Sequence, residues 1–230
     1  MKWLVEFFSS GIGKKLLMSL TGLFLIIFLV VHLAGNLQLL KDDNGQSFNI
    51  YAKFMTSNPL IKTVSYGLYF FILLHAVVGI LIAWSNKQAK GKGYAVSASS
   101  PNTSWASKNM ALLGTLILAF LFIHMGDFWY KMKFTDLLPY VTYDAEMGPI
   151  KNLYARTAEA FSDPLIVITY LIGMAVLSFH LWHGFQSAFQ TLGINHPKYS
   201  PLIRAAGKAF AILIPLAYAI IPIWHYFNHA

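Results

Sequence analysis

The sequence predicts an all-α integral membrane protein: one domain, residues 1–230, folded as a bundle of five transmembrane helices. Composition, apolar run length and charge placement predict it. Hydrophobic residues make up 57% of the 230 and charged residues only 11%. Mean hydropathy is +0.55, and the polar residues are too few to cover a water-facing surface. Five apolar stretches reach the length of about 20 residues that a helix needs to cross a bilayer core. The charges gather in the segments between them. A disordered chain, a soluble enzyme domain and a nucleic-acid binder are excluded, and the formal charge of +8 reports membrane orientation rather than an affinity for nucleic acid. Cysteine is absent, which excludes disulfides, thiolate metal sites, iron–sulfur ligation and covalent haem attachment within this chain.

The spans are expected near 14–39, 60–85, 107–131, 164–189 and 202–227. The first is too long for a signal peptide and is followed by no A-x-A cleavage pattern. Asn58-Pro59, Asp163-Pro164 and Ser200-Pro201 each set a capping side chain before a proline at the first helical position. A polar linker, Ser97–Ser107, precedes span three. Pro215 and Pro222 are expected to bend span five without breaking it. The connection between spans three and four is expected to form an interfacial helix around Lys151–Ala160. Trp3, Trp84, Trp105, Trp129 and Trp224 fall at span ends, where indoles favour the headgroup region.

Orientation follows from the basic residues. Lys2, Lys14, Lys15, Lys87, Lys90, Lys92, Lys108, Lys198, Arg204 and Lys208 lie on one side of the spans, with Glu6 the only acid there. On the other side, Lys41, Lys53, Lys62, Lys131, Lys133, Lys151 and Arg156 are balanced by Asp42, Asp43, Asp136, Asp144, Glu146, Glu159 and Asp163. The positive-inside rule places the N-terminus in the cytoplasm and the C-terminus outside.

His32, His75, His124 and His180 lie inside spans one to four, one on each. Ionisable side chains within lipid are rare and face the bundle interior, so each marks a candidate functional site. At a rise of about 1.5 Å per residue, His32 and His124 stand ~27 and ~25 Å from the cytoplasmic ends of their helices, and His75 and His180 ~15 Å from theirs. Two pairs at two depths result, separated by ~10–12 Å in level. Each pair joins helices that run the same way. Two neutral imidazoles facing each other form an axial ligand set for a haem iron with no open position, a site that moves electrons. Gly79 and Gly184 follow His75 and His180 at i+4, on the ligand's own face, where a missing side chain makes room for a flat macrocycle. Gly35 and Gly126 are looser counterparts, and helix packing is the competing explanation for all of these glycines. His183 competes with His180 from roughly 60° round the helix; the spacing to glycine shared with His75 favours His180. That leaves His183 to a haem propionate or to another helix. His196, His225 and His229 are expected in solvent at span ends, without a role.

Gly11–Leu37 and Ser178–Tyr199, with the ordered set of four histidines on five spans, resemble the cytochrome b membrane subunit of succinate dehydrogenase and fumarate reductase, in its single-chain, five-helix, two-haem form. The resemblance covers nearly the whole chain. It implies two haems b, one ligated by His75 and His180 nearer the cytoplasm and one by His32 and His124 nearer the outside. It also implies a flavoprotein subunit with covalent FAD and an iron–sulfur subunit docked on the cytoplasmic face of the inner membrane, electron exchange with membrane quinone, and room for a dimer of the complex. Two departures matter. Menaquinol-oxidising relatives carry a glutamate two residues before the fourth ligand, where this chain has Ser178, and no acid occurs in Gln46–Phe54. Both weigh against a transmembrane proton route and tilt the expectation toward succinate oxidation.

Asn36, Asn49 and Asp127 are candidates for a quinone site near the outer haem, although Asn36 also suits a helix end and Asp127 an interfacial carboxylate. Ser19, with Lys14 and Lys15, is a candidate for steadying haem propionates, lipid phosphates being the alternative partner of the lysines. Two other readings stay open. One is a dihaem cytochrome of another quinol-oxidising complex, such as a nitrate reductase or formate dehydrogenase, which takes more than one ligand from a helix. The other is a haem-free transporter with a histidine proton relay, which requires broken helices in paired halves.

Overall fold

The computed structural model describes residues 2–89 and 105–229, the side chain of His229 excepted. Lys90, Lys92 and most of the polar linker before span three lie outside the described residues. Among the described residues, five helices are long and apolar enough to cross a membrane: Gly11–Leu40, Pro59–Ala89, Met110–Phe134, Pro164–Thr191 and Ser200–Asn228. Each end lies within four residues of its expected bound.

The chain begins with a short helix, α1 (Lys2–Ser9), which the sequence reading did not separate from the first span. It turns sharply into α2 (Gly11–Asn36), capped by the Ser10 hydroxyl, which accepts from the Gly13 amide at 3.1 Å. Only glycine fits at 13, because a Cβ there would run into the Phe7 carbonyl. A 3-10 turn, Leu37–Leu40, ends this span. Helix α3 (Gln46–Ser57) follows and was not anticipated. Next come α4 (Pro59–Ala89), α5 (Trp105–Lys108) and α6 (Met110–His124). Span three then continues through a π-helical segment, Met125–Tyr130, into α7 (Lys131–Phe134). The extra residue per turn begins directly after His124, in a span expected to be regular; such π segments often mark functional positions. Two short strands, β1 (Tyr140–Val141) and β2 (Ile150–Lys151), pair antiparallel. Helices α8 (Leu153–Ser162), α9 (Pro164–Thr191) and α10 (Ser200–His229) complete the chain, α8 standing near the expected interfacial helix.

Two of the three expected caps form. The Asn58 carboxamide oxygen accepts from Leu60 N at 2.9 Å, and an Asp163 carboxylate oxygen from Leu165 N at 2.8 Å. Ser200 does not cap. Its hydroxyl donates to Asn195 Oδ1 and accepts from His196 N, both at 2.8 Å, so it closes the preceding loop. Helix α10 runs through Pro215 and Pro222 without interruption.

Packing defines a ring. α2 neighbours α4, α4 neighbours α6, α6 neighbours α9, and α9 neighbours α2, with α10 lying outside against α9, α2 and α8. The diagonals of the ring are therefore α2 to α6 and α4 to α9. One end of the bundle is closed by the folded connections. There α3, the strand pair and α8 pack over an apolar core that includes Leu39, Phe48, Phe161, Tyr170 and Ile221.

That end is tied by Asn49, only 1% exposed. Its amide nitrogen donates to the Tyr143 hydroxyl and to Asn152 Oδ1, both at 2.8 Å, and its oxygen accepts from Tyr154 N at 3.0 Å. Asn49→Ala removes the side-chain acceptor of the Tyr154 amide together with the bonds to Tyr143 and Asn152, a loss of about 1–3 kcal/mol. We expect a lowered Tm for that variant in detergent; a Tm equal to that of the parent chain would contradict this role.

Candidate functional site

The ring of α2, α4, α6 and α9 encloses a cavity of about 2500 Å³, lined by His32, His75, His124, His180 and His183. Pockets for a single ligand usually measure ~300–1,000 Å³. This space is several times larger.

Across it the histidines meet along the two diagonals. His32 of α2 faces His124 of α6 with ring centres 5.8 Å apart and planes at 85°. His75 of α4 faces His180 of α9 at 6.3 Å and 66°. Two imidazoles bonded to opposite sides of one metal at ~2 Å each place their ring centres roughly 6 Å apart. Among the described residues, no group of three or more His, Asp or Glu side chains converges as a metal cluster. The donors come in twos. A pair of protein donors suffices for an iron whose other four ligands come from a porphyrin.

The contacts also set the levels. His75 lies opposite Thr21 and Gly22 of α2, His180 lies opposite Gly114 of α6, and His124 lies opposite Tyr170 of α9. His32 is ten residues from Gly22, His124 ten from Gly114, and His180 ten from Tyr170. All three helices thus separate the two tiers by roughly 15 Å at 1.5 Å per residue. The depth counted from span ends, ~10–12 Å, falls short because those ends were approximate and the contacts are not.

Each ring has its own surroundings. Nδ1 of His75 is 3.0 Å from the Thr21 hydroxyl, Nδ1 of His124 is 3.3 Å from the Tyr170 hydroxyl, and Nδ1 of His32 is 3.3 Å from the Asn36 amide nitrogen. That amide also donates to the His32 carbonyl at 2.7 Å. Nδ1 of His180 is buried with no hydrogen-bond partner among the described residues. A metal-ligating histidine usually donates its second N–H to a neighbouring acceptor that fixes the ring; the Thr21 and Tyr170 hydroxyls stand where they can accept from His75 and His124, whereas the Asn36 amide nitrogen can only donate to His32. Aromatic rings enclose the second tier: Phe28 stacks on His32 and Phe120 on His124, at 5.1 and 5.9 Å, and Tyr218 stands 5.9 Å from His32.

The glycines divide. Gly79 and Gly184 both line the cavity, and a Cβ on Gly184 would meet nothing within 4 Å. Gly35 also lines the cavity but serves packing, since a Cβ there would press on the Tyr51 ring at 2.5 Å. Gly126 does not reach the cavity. Two glycines that the sequence reading passed over lie against the first tier. A Cβ on Gly22 would stand 3.3 Å from His75 Cε1, and one on Gly114 3.8 Å from His180 Cε1. Their signal was register: each lies ten residues before the histidine of its own helix.

Of the remaining candidates, Ser19 and Asn36 line the cavity, whereas Asn49 and Asp127 do not. Ser19 is buried and its hydroxyl donates to the Lys15 carbonyl at 3.0 Å. Asn49 belongs to the knot described above. Asp127 is paired with Lys131 at 2.7 Å and with Arg156, which also holds Glu159 at 2.8 Å. Burial opposes the charge on Arg156, but hydrogen bonds and charge from Glu159 and Asp127 outweigh it and raise its pKa. His225 corrects an expectation. It is fully buried rather than solvated, because α8 folds over α10 and sets Tyr154 and Phe161 against it at 5.5 and 6.1 Å. His196 is exposed and stacks on Tyr199 at 5.3 Å.

Fold and site define a multi-pass membrane bundle with two half-buried histidine pairs stacked in one central cavity. No family model, curated protein or solved structure matches the chain.

The two glycine classes differ in what they tolerate. Gly35→Val forces Tyr51 aside, at a cost of about 1–3 kcal/mol typical of overpacking, and lowers the Tm in detergent. Gly184→Ala leaves it within a degree or two of the parent chain. Equal effects at the two positions would contradict the assignment.

Proposed function

We propose that this chain is the membrane-anchor cytochrome b subunit of a succinate:quinone oxidoreductase, holding two haems b with His75 and His180 on one iron and His32 and His124 on the other. The observation that carries the proposal is the diagonal pairing. Imidazoles from helices that do not pack on each other meet at metal-bridging separation inside a cavity too large for close-packed side chains to need. A histidine proton relay requires no such volume, and one ligand per helix separates this arrangement from cytochromes that draw two from a single helix.

The residues fit the group. His75 with His180 and His32 with His124 would hold the two groups, Gly79 and Gly184 leave space at the helix surface, and the apolar wall limits access of water. Haem bound there would supply one-electron redox chemistry. The chain itself sets axial donors, spacing and surroundings; the organic chemistry belongs to the flavin of a partner subunit and to quinone. Under the positive-inside rule the basic end, bearing Lys14, Lys15, Lys87 and Lys108, faces the cytoplasm of a cell inner membrane. The His75/His180 tier lies nearer that end. A soluble iron–sulfur subunit, itself carrying the flavoprotein, docks against its connections. With haem held at both tiers, the chain would offer electrons a path between that subunit and quinone near the outer face. Of the polar residues considered for quinone, Asn36 is the one that reaches the cavity beside the second tier. The direction of turnover favoured by Ser178 and by the acid-free Gln46–Phe54 is succinate oxidation.

Reduced-minus-oxidised optical spectra of the purified chain test this reading. We expect low-spin b-type bands and two haems per chain, and a haem content near zero would overturn it. His180→Ala loses one haem, whereas His183→Ala retains both; the reverse would move the ligand to His183. Gly184→Leu fills cavity space without a backbone clash, so the chain folds with reduced haem content.

A further inference from the structure

The Thr21 hydroxyl has one proton and two near neighbours of different kinds. Its oxygen lies 2.7 Å from the Leu17 carbonyl and 3.2 Å from the Met18 carbonyl, both acceptors only. The proton is therefore engaged within α2. A threonine that bonds back to its own helix in this way is common in membranes, and that alone explains neither its burial nor its neighbour. Thr21 is 3% exposed, and the same oxygen lies 3.0 Å from Nδ1 of His75, on another helix. With its proton committed, the oxygen receives the Nδ1–H of the ring. Gly22, next in sequence, lacks the Cβ that would otherwise crowd His75 Cε1 at 3.3 Å. Helix α2 thus presents a notch and an acceptor side by side to one imidazole.

We propose that Thr21 is the positioning residue for His75: it holds the proton on Nδ1, keeps the Nε2 lone pair available to a metal, and tunes the potential of the first tier alone. The inference rests on the haem reading above. The other ring of that tier gives the assignment its selectivity, since Nδ1 of His180 is buried without a partner. Thr21 is then the only protein hydrogen-bond partner of an imidazole in the first tier among the described residues. The second tier draws instead on Asn36 and Tyr170. A ring whose Nδ1–H is given to an oxygen is a stronger electron donor through Nε2, which favours oxidised iron and lowers the potential. Loss of such partners typically costs 10–100-fold in metal affinity or activity. A tenfold loss of preference for the oxidised state corresponds to a positive shift of ~59 mV for one electron.

Thr21→Val keeps the shape and removes the acceptor; Thr21→Ser keeps the acceptor. Haem content and anaerobic potentiometric titration, followed in the α-band and by low-temperature EPR, test the pair. We expect Thr21→Val to retain two haems, with one midpoint raised and its EPR signal broadened, the other component unchanged, and Thr21→Ser to restore both. Two unchanged components in Thr21→Val overturn the inference, as do equal shifts in the Val and Ser variants, which would indicate packing rather than hydrogen bonding. Should the Val chain fail to hold haem, retention in Ser still supports the role, and loss in both overturns it. A parent chain without haem instead sinks the underlying reading, so the two failures are distinct.

Discussion

The structure depends on imidazoles that must meet across a four-helix ring rather than between neighbours in it. Adjacent helices can close on one another to the usual 8–10 Å between axes; helices on a diagonal cannot. Pairs set on both diagonals therefore keep the centre of the ring open along its length. The cavity follows from that geometry, and so do the small residues at Gly22, Gly79, Gly114 and Gly184 and the exclusion of α10 from the ring. An uncharged polar ring in hydrocarbon still requires partners for its nitrogens. Thr21, Asn36 and Tyr170 supply three of them. The fourth ring, His180, is left with a buried and unpartnered Nδ1.

Much of this was legible in the sequence because a bilayer simplifies the code. Backbone groups must be satisfied within each segment, so a run of apolar residues of sufficient length is a helix, and its polar exceptions point inward. Rise per residue then turns position into depth, which is why His32 pairs with His124 and His75 with His180 on arithmetic alone. The same arithmetic misjudged the distance between tiers. Depth counted from a frayed or capped end inherits the error of that end, and Gly11, Ala89, Met110 and Thr191 lie two to four residues from the ends that the apolar runs suggest.

What lay outside the membrane was less legible, for a physical reason. Segments in water follow ordinary soluble rules, with short helices, turns and side-chain knots whose partners are distant in sequence. Asn49 looks like a free amide near the second tier until Tyr143, Asn152 and Tyr154, some hundred positions away, engage its nitrogen twice and its oxygen once. Asp127 likewise resembles a proton-exchanging carboxylate, but the π segment after His124 presents it to Lys131 and Arg156. His225 reads as a solvated terminus because nothing in α10 itself announces that α8 will cover it. In each case the missing information is long-range contact, which neither hydropathy nor spacing encodes.

The two ends of the bundle consequently do different work. At the end away from the N-terminus, α3, the strand pair, α8 and the last turns of α10 interlock around Asn49, Phe161 and His225, and acids and bases balance. That end is built to hold its own shape, fixing Tyr170 and Tyr218 against the second histidine pair. At the opposite end the charges are almost all positive and, among the described residues, no ion pair joins them. Positive charge left uncompensated by the chain's own acids attracts an anionic surface, which a lipid leaflet or a soluble subunit supplies. The relay proposed above would use this asymmetry: one end shields its histidine pair from water by its own folding, and the other leaves its pair close to a surface where a separate protein could exchange electrons with it.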